Sequence, residues 1–426
     1  MTALSSLDFP ANDFPATVST LASGLTVVHQ HVPATPVVTV DVWVNAGAIA
    51  EPEPWSGMAH FLEHMIFKGT DRLLPGQFDQ VIETRGGMTN AATSHDYAHF
   101  FINVAAAHLT DALPHFADLL LNAAIPDDEF DRERLVVLEE LRQAYDDPDW
   151  VGFQSLMEIV YPGHPYGRSV LGTEATLMGR SPQEMRQFHR AHYQADGMTV
   201  VVVGDVDEEN TLRLVEQSFA EFAPRGAIAP NGTTRLSQRT APSRDVIQLP
   251  RIEQARLLMA WIGPGVSQLR DAYGLDLLSI ALAGGRMSRL VWELREQRQL
   301  VHGIDSSFSL QRDASLFTIS ALLDAEYVAV VEGLIGDRLL DLAHTPIDPY
   351  ELNRYKRQLC NDYAFSTETT NQIAGLYGYY SILSNPAVSV TYPAQIQSFQ
   401  PEELQQLAAR YLSPDRCTAV ILQPIA

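Results

Sequence analysis

Cysteine is the scarcest residue of this 426-residue chain, which contains only Cys360 and Cys417. Two cysteines are too few for a disulfide framework in a chain of this size, and they fit a reducing compartment. Basic residues are also in short supply, since 29 Lys and Arg face 52 Asp and Glu and the formal net charge is −23. This balance argues against nucleic acid as a partner and favours neutral or cationic ligands, such as basic peptides.

Targeting and membrane signals are missing as well. The N-terminal stretch MTALSSLDFPANDFP contains neither the basic nor the apolar segment of a secretory signal, and it lacks the arginines of a transit peptide. No apolar run is long enough to span a bilayer, and no G-x-x-x-x-G-K-[ST] loop for nucleotide phosphates occurs. We therefore expect a cytoplasmic protein with no membrane partner and no nucleotide chemistry.

The length and composition predict two globular domains, because 46% of the residues are apolar and only 19% are charged. The two halves contain similar segments. The segment 191–193, with the predicted strand after it, resembles the segment 409–411 and the predicted strand that follows there. The pair Gly86-Gly87 likewise resembles Gly284-Gly285. A repeat of about half the chain length favours a duplicated α+β domain, although two unrelated α+β domains would also produce such generic strand endings. Composition divides the chain into a first domain (1–223), a Gly- and Pro-containing linker (224–234) and a second domain (235–426).

The segment SGMAHFLEHMIFKGT, residues 56–70, is the most informative stretch. It predicts a helix with Ser56 as the N-cap and Gly69 as the stop. One apolar stripe faces the core, and the neighbouring stripe carries His60, Glu63 and His64. Just before it, residues 37–44 alternate between valines and other residues, which predicts a strand with one buried face.

Two histidines one helical turn apart suit a zinc ion, since His60 and His64 can reach one metal while Glu63 reaches a water bound to it. The order is H-x-x-E-H, the inverted form of a zinc-peptidase motif. The alternative is an ordinary helix whose histidines and glutamate face solvent. A third ligand distinguishes the two interpretations.

A later helix offers that ligand. Glu133 and Glu140 lie two turns apart and therefore on one face, and catalytic zinc commonly takes two histidines and one carboxylate. We select Glu140 as the third ligand, and we expect Glu133 to hydrogen-bond a ligand histidine or the substrate. Glu139 is interpreted as a solvated residue.

These motifs together resemble the pitrilysin and insulysin family of inverted-motif zinc peptidases, in particular its short processing-peptidase-like members. The resemblance covers nearly the whole chain. It implies one zinc ion held by His60, His64 and Glu140, with Glu63 as the catalytic base and Glu133 as a further functional acid. The fold it implies is α+β: two similar domains, each a mainly antiparallel sheet covered by helices, forming half of a clamshell.

The resemblance also implies substrate contacts. The stretch around Asn90 and Ala91 resembles the family's substrate-pairing edge strand, although an ordinary polar edge strand is an equal alternative. In the second half, Arg295 matches a family arginine, but His302 stands where the family has a tyrosine two turns later. Either His302 donates a hydrogen bond instead, or a second, non-identical chain without the zinc motif supplies the Arg and Tyr. The second interpretation, a heterodimer rather than a homodimer, is the one we favour.

The prediction is therefore a zinc endopeptidase or oligopeptidase that acts on unfolded peptides. The alternative is a non-catalytic interaction subunit of the same fold. That alternative predicts an eroded motif, whereas His60, Glu63, His64 and Glu140 are all present.

Overall fold

The computed structural model describes residues 14–226, 242–250 and 252–425, and these residues form two sheets covered by helices. The first sheet has the strand order β1-β2-β6-β3-β5-β4. Its strands are β1 (Thr17–Thr20), β2 (Thr26–His31), β3 (Val37–Val44), β4 (Met88–Thr93), β5 (Ala98–Ala105) and β6 (Met198–Gly204). The second sheet has the order β7-β11-β8-β10-β9. Its strands are β7 (Ser243–Leu249), β8 (Ala255–Pro264), β9 (Gly303–Leu310), β10 (Ala314–Leu323) and β11 (Thr418–Pro424).

The helices divide between the two halves of the chain. The first half contains α1 (Met58–Ile66), α2 (Gln77–Glu83), α3 (Leu109–Leu121), α4 (Asp127–Asp146), α5 (Pro148–Val160), α6 (Glu174–Met178), α7 (Pro182–His192) and α8 (Glu208–Ser218). The second half contains α9 (Leu269–Ala283), a π-helix (Val291–Gln297), α10 (Val328–His344), α11 (Pro349–Phe365), α12 (Thr370–Leu383), α13 (Tyr392–Ser398) and α14 (Pro401–Tyr411). No helix in these described ranges is long and apolar enough to cross a lipid bilayer.

The duplication predicted from the sequence is confirmed by the topology. Without β1, the two sheets have the same order, and in each the first pair is parallel while the other pairs are antiparallel. Tyr193 follows α7 before β6, and Tyr411 ends α14 before β11. The similar segments around these tyrosines therefore occupy equivalent positions in the two halves. The prediction from the glycine pairs was wrong, because Gly86-Gly87 precede β4 whereas Gly284-Gly285 follow α9 and precede the π-helix.

The two halves exchange a helix. Helix α12 of the second half packs on β3 and β6 of the first sheet, and α5 of the first half packs on β8 and β11 of the second. Among the described residues, the last helix of the first half ends at Ser218 and the next strand begins at Ser243. Residues 227–234 of the predicted linker lie outside the described residues.

This exchange corrects the prediction of one buried face for β3. Val38, Val40, Val42 and Val44 are buried as expected. On the opposite face, however, Thr39, Asp41 and Trp43 are at most 3% exposed. Helix α12 covers that face, and Thr39 donates a hydrogen bond to Thr370 at 2.9 Å. A partner so distant along the chain leaves no trace in the local alternation of residues.

Candidate active site

The apolar face of helix α1 is buried, and this burial fixes the direction of its polar face. Met58, Phe61, Leu62 and Met65 are fully buried, as their spacing predicted. The rings of His60 and His64 then project side by side, with their centroids 4.8 Å apart. Burial of one stripe therefore orients the other.

The start of α1 differs from the predicted Ser56 cap. The helix begins at Met58 after Gly57, whose φ of 90° lies in the left-handed region that glycine tolerates. The buried carboxylate of Glu51 takes the place of the cap and accepts hydrogen bonds from the Gly57 N–H at 3.1 Å and the Ala59 N–H at 2.7 Å. Burial raises the pKa of Glu51 to about 8.

Helix α4 brings a carboxylate to the two histidines, because α1 and α4 pack together. Glu140 Oε1 lies 3.6 Å from His60 Nε2, and Glu140 Oε2 lies 3.4 Å from His64 Nε2. Among the described residues, these three form the one group with three ligand atoms within 4.8 Å of one another. The structure therefore brings together the predicted ligand set from two separate helices.

The spacing of these atoms is close to that around a tetrahedral zinc ion. Ligand atoms about 2.0–2.1 Å from such an ion lie roughly 3.4 Å from each other, which is near the distances from the two histidines to the two oxygens of Glu140. The three ligand atoms lie within 4.8 Å of one another, so small side-chain movements bring them around one ion. Two imidazole nitrogens and one carboxylate oxygen are also a donor set that catalytic zinc uses, and it leaves a fourth position for water. His60, His64 and Glu140 can thus hold zinc without rearrangement of the helices.

The protonation of the cluster follows from burial and from its neighbours. Burial lowers the pKa of His60 to about 4, so its imidazole is neutral, as a metal ligand requires. Burial would also lower the pKa of His64, but its contacts with Glu140 and Glu133 outweigh that effect and raise it. The same contact with His64 lowers the pKa of Glu140.

Glu133 supports the cluster from behind His64. Its Oε1 lies 3.0 Å from His64 Nδ1, so Glu133 accepts a hydrogen bond from that nitrogen when it carries a proton. Its Oε2 lies 2.5 Å from the ammonium group of Lys68. An outer partner of this kind sets the orientation of a metal-ligating imidazole.

Glu63 lies on α1 beside the cluster and next to the edge of the first sheet. Its Oε2 accepts a hydrogen bond of 2.6 Å from the hydroxyl of Thr93, the last residue of β4. Burial raises the pKa of Glu63. A carboxylate shifted in this direction holds a proton more readily than an exposed one.

Asn90 and Ala91 lie on β4, three and two residues before Thr93. Among the described strands, β4 pairs only with β5 and forms the edge of the first sheet, with Asn90 opposite Phe101 and Ala91 opposite Phe100. The Asn90 side-chain oxygen accepts a hydrogen bond of 2.9 Å from the Ala91 N–H. The predicted substrate contacts therefore lie on an open edge that leads to Glu63.

Arg295 and His302 occupy the second half, and their expected helical spacing was wrong. The π-helix that carries Arg295 ends at Gln297, so His302 lies beyond it in the segment before β9. Arg295 lines a groove of about 610 Å³ on the second sheet and is bound to Glu296 at 2.8 Å. His302 Nε2 lies 3.2 Å from Asp324. Within the described residues, neither side chain has a hydrogen bond or ion pair with the cluster or with β4.

Three residues of the site were missed from the sequence: Glu51, Lys68 and Thr93. Lys68 follows His64 by four positions, so helical spacing offered a signal for its place beside Glu133. Thr93 shares the predicted edge strand with Asn90. Glu51 lies in an irregular turn, and nothing in its spacing points to the helix start that it caps.

Family comparison agrees with this geometry. Residues 26–174 match the family model described as insulinase (peptidase family M16), and residues 181–359 match the model described as peptidase M16 inactive domain. An uncharacterized zinc protease of Mycobacterium leprae is 30% identical over 416 residues, which are 96% of this chain and 92% of that protein. The zinc protease PqqE of Helicobacter pylori is 28% identical over 420 residues, with 95% and 92% covered.

Solved structures show the same architecture. The crystal structure of a protease from Helicobacter pylori superposes with a TM-score of 0.91 at 27% identity, covering 96% of this chain and 99% of that one. An M16-like peptidase from Alicyclobacillus acidocaldarius has a TM-score of 0.84 over 99% of this chain and 100% of that one, at 17% identity. The second likeness concerns the fold alone.

Proposed function

Because the chain belongs to the insulinase family of peptidases, peptidase family M16, we propose that it is a zinc-dependent endopeptidase or oligopeptidase acting on unfolded peptides. The observation that carries this proposal is the meeting of His60, His64 and Glu140 within 4.8 Å, next to the half-buried Glu63 and an open strand edge. One zinc ion per chain, held by these three residues, would supply an activated water and polarise the peptide carbonyl.

Glu63 carries the proton in this proposal. Its half-buried carboxylate has a raised pKa, so it can take a proton from the attacking water and return it to the leaving amine. The Thr93 hydroxyl, 2.6 Å away, holds one carboxylate oxygen in place. Glu133 acts through His64, which it orients.

Strand β4 positions the substrate. A peptide that adds to this edge uses backbone hydrogen bonds, so its side chains have little influence on pairing. Pairing at Ala91 would replace the hydrogen bond that Asn90 now makes to the Ala91 N–H. An unfolded segment satisfies this requirement, whereas a folded protein does not expose its backbone.

The remaining substrate contacts in this proposal come from the second half of the chain and from a partner chain. Arg295 faces a groove on the second sheet, and His302 is bound within its own half. We propose that a non-identical homologue without the zinc motif supplies the Arg and Tyr of the family, in a heterodimer. Both cysteines are free thiols, which supports a reducing, cytoplasmic location.

Metal analysis and cleavage of an unstructured peptide, before and after chelation, test the proposal. Glu63→Gln should retain the zinc and lose turnover by at least about a hundredfold, the scale of general acid–base catalysis. Glu139→Gln is the matched control, because Glu139 is an exposed neighbour of Glu140 whose only ion-pair partner in the described chain is Arg142.

The outcomes separate the candidates. Zinc-bound protein that cleaves nothing, alone or mixed with a candidate partner, would indicate the non-catalytic subunit. Protein that binds no zinc would refute the metal site itself. Cleavage that appears only on mixing would support the heterodimer.

A further inference from the structure

A cavity of about 370 Å³ in the second half combines aromatic walls with a carboxylate. Its walls come from α9, α11, α12 and the start of α13. Four tyrosines and two acids define its chemistry: Tyr363, Tyr379, Tyr380, Tyr392, Asp276 and Asp362. No part of the proposed peptidase mechanism uses these residues.

The position of the cavity follows from the duplication. Helices α9 and α11 occupy the same places in the chain order of their half as α1 and α4 do in the first, and each pair packs together. Two walls of the cavity thus come from the helices that correspond to those of the His and Glu cluster. Within the described residues, no set of three metal ligands occurs here, so these helices carry a different chemistry in the second half.

Asp276 lies at the polar end of the cavity. The hydroxyl of Tyr392 donates a hydrogen bond to its Oδ2. The pKa of Asp276 is raised to about 6, mainly by burial and in smaller part by the nearby charge of Asp362, while the hydrogen bond from Tyr392 opposes the rise. No lysine, arginine or histidine in the described part of the chain forms an ion pair with either acid, so their negative potential is not balanced from within.

The tyrosine rings surround this carboxylate. The rings of Tyr363 and Tyr392 are stacked at 5.9 Å, and that of Tyr273 meets Tyr392 edge-on at 4.9 Å. The hydroxyls of Tyr273 and Tyr380 lie 3.3 Å apart. Aromatic faces attract cations and also bind apolar groups.

We propose that this tyrosine-lined cavity binds an organic cation, a protonated amine or guanidinium carried on an apolar body. The carboxylate pairs with the cationic group, and the tyrosine faces hold both that group and the body. The cavity volume lies within the range of small-molecule sites. An anion is excluded by the two acids, and a metal ion lacks sufficient ligands.

Calorimetric titration of the zinc-loaded protein tests this inference, with phenethylammonium as the probe and the neutral 2-phenylethanol as its matched control. We expect the amine to bind at least tenfold more tightly than the alcohol. Asp276→Asn should weaken amine binding at least tenfold and leave alcohol binding unchanged. Asp415→Asn, at an exposed acid on another element, should leave both unchanged.

Two results would overturn the proposal. Equal binding of amine and alcohol would show that the cavity does not select charge. Amine binding unaffected by Asp276→Asn would place the amine elsewhere on this acidic surface. If Asp276→Asn proves unfolded by circular dichroism, Tyr363→Leu replaces it, since it removes a π-face from the half-buried wall. That variant should weaken amine binding severalfold, and unchanged binding would refute the site.

Discussion

Gly378 offers a direct test of how tightly the two halves are joined. It lies on α12, where the second half packs against the first sheet. A Cβ atom at this position would lie 2.0 Å from Trp43 Nε1 and 2.2 Å from Trp43 Cδ1. These distances are well inside van der Waals contact, so Gly378→Ala forces the indole or the helix to move.

The indole has little room to yield. Trp43 is 3% exposed, its ring stacks on His99 at 4.3 Å, and the Tyr97 ring lies 4.6 Å away. Overpacking of a dense interior costs up to about 3 kcal/mol, and replacing glycine by alanine in a helix recovers about 1 kcal/mol. We therefore expect Gly378→Ala to lower the free energy of unfolding by about 2 kcal/mol.

Urea denaturation followed by circular dichroism measures this change. Gly375→Ala is the control, because Gly375 lies on the same helix and a Cβ there would meet nothing within 4 Å. That variant should raise the free energy of unfolding by about 0.5–1 kcal/mol. Equal stability of the two variants would refute the argument that α12 is seated against an immovable Trp43.

Further predictions concern the supports of α1. In the folded protein Glu51 keeps its proton up to about pH 8, because burial raises its pKa. In the unfolded chain the same group has its ordinary pKa of 4.5 and loses the proton at lower pH. Its contribution is therefore fully present below pH 4.5 and is lost as the pH rises through 8, by up to about 1.4 kcal/mol per pH unit. Glu51→Gln should flatten this part of the pH dependence of unfolding, and an unchanged slope would contradict it. Lys68→Met removes the 2.5 Å contact with Glu133 and should weaken zinc binding severalfold, up to about tenfold, in competition with a chelating dye, because Glu133 rather than Lys68 contacts the ligand His64. Lys68→Arg should retain most of that affinity, and equal losses in both variants would count against the charge contact.

Local periodicity predicted the parts of the site that depend on local geometry. The apolar stripe of α1 buries Phe61 and thereby exposes the histidines to α4, and helical spacing alone brings Glu133 and Glu140 to one face of α4. The duplication was also detectable, since the tyrosines that precede β6 and β11 occupy equivalent positions.

Long-range partners were beyond local inference. The second face of β3 is buried by a helix that lies more than three hundred residues later in the chain. The N-terminus of α1 is capped by Glu51 and not by the expected Ser56. His302 was misplaced because a π-helix ends early, after Gln297, and helical spacing cannot be extended beyond that end.

The crossing of α5 and α12 has a consequence for how this polypeptide can be divided. Each half carries a helix that packs on the sheet of the other half. A chain cut between residues 226 and 242 would therefore yield two fragments that bind each other through these helices. Either fragment alone would expose an apolar sheet face to water. We expect the two gene fragments to complement each other when coexpressed and to produce insoluble material when expressed singly.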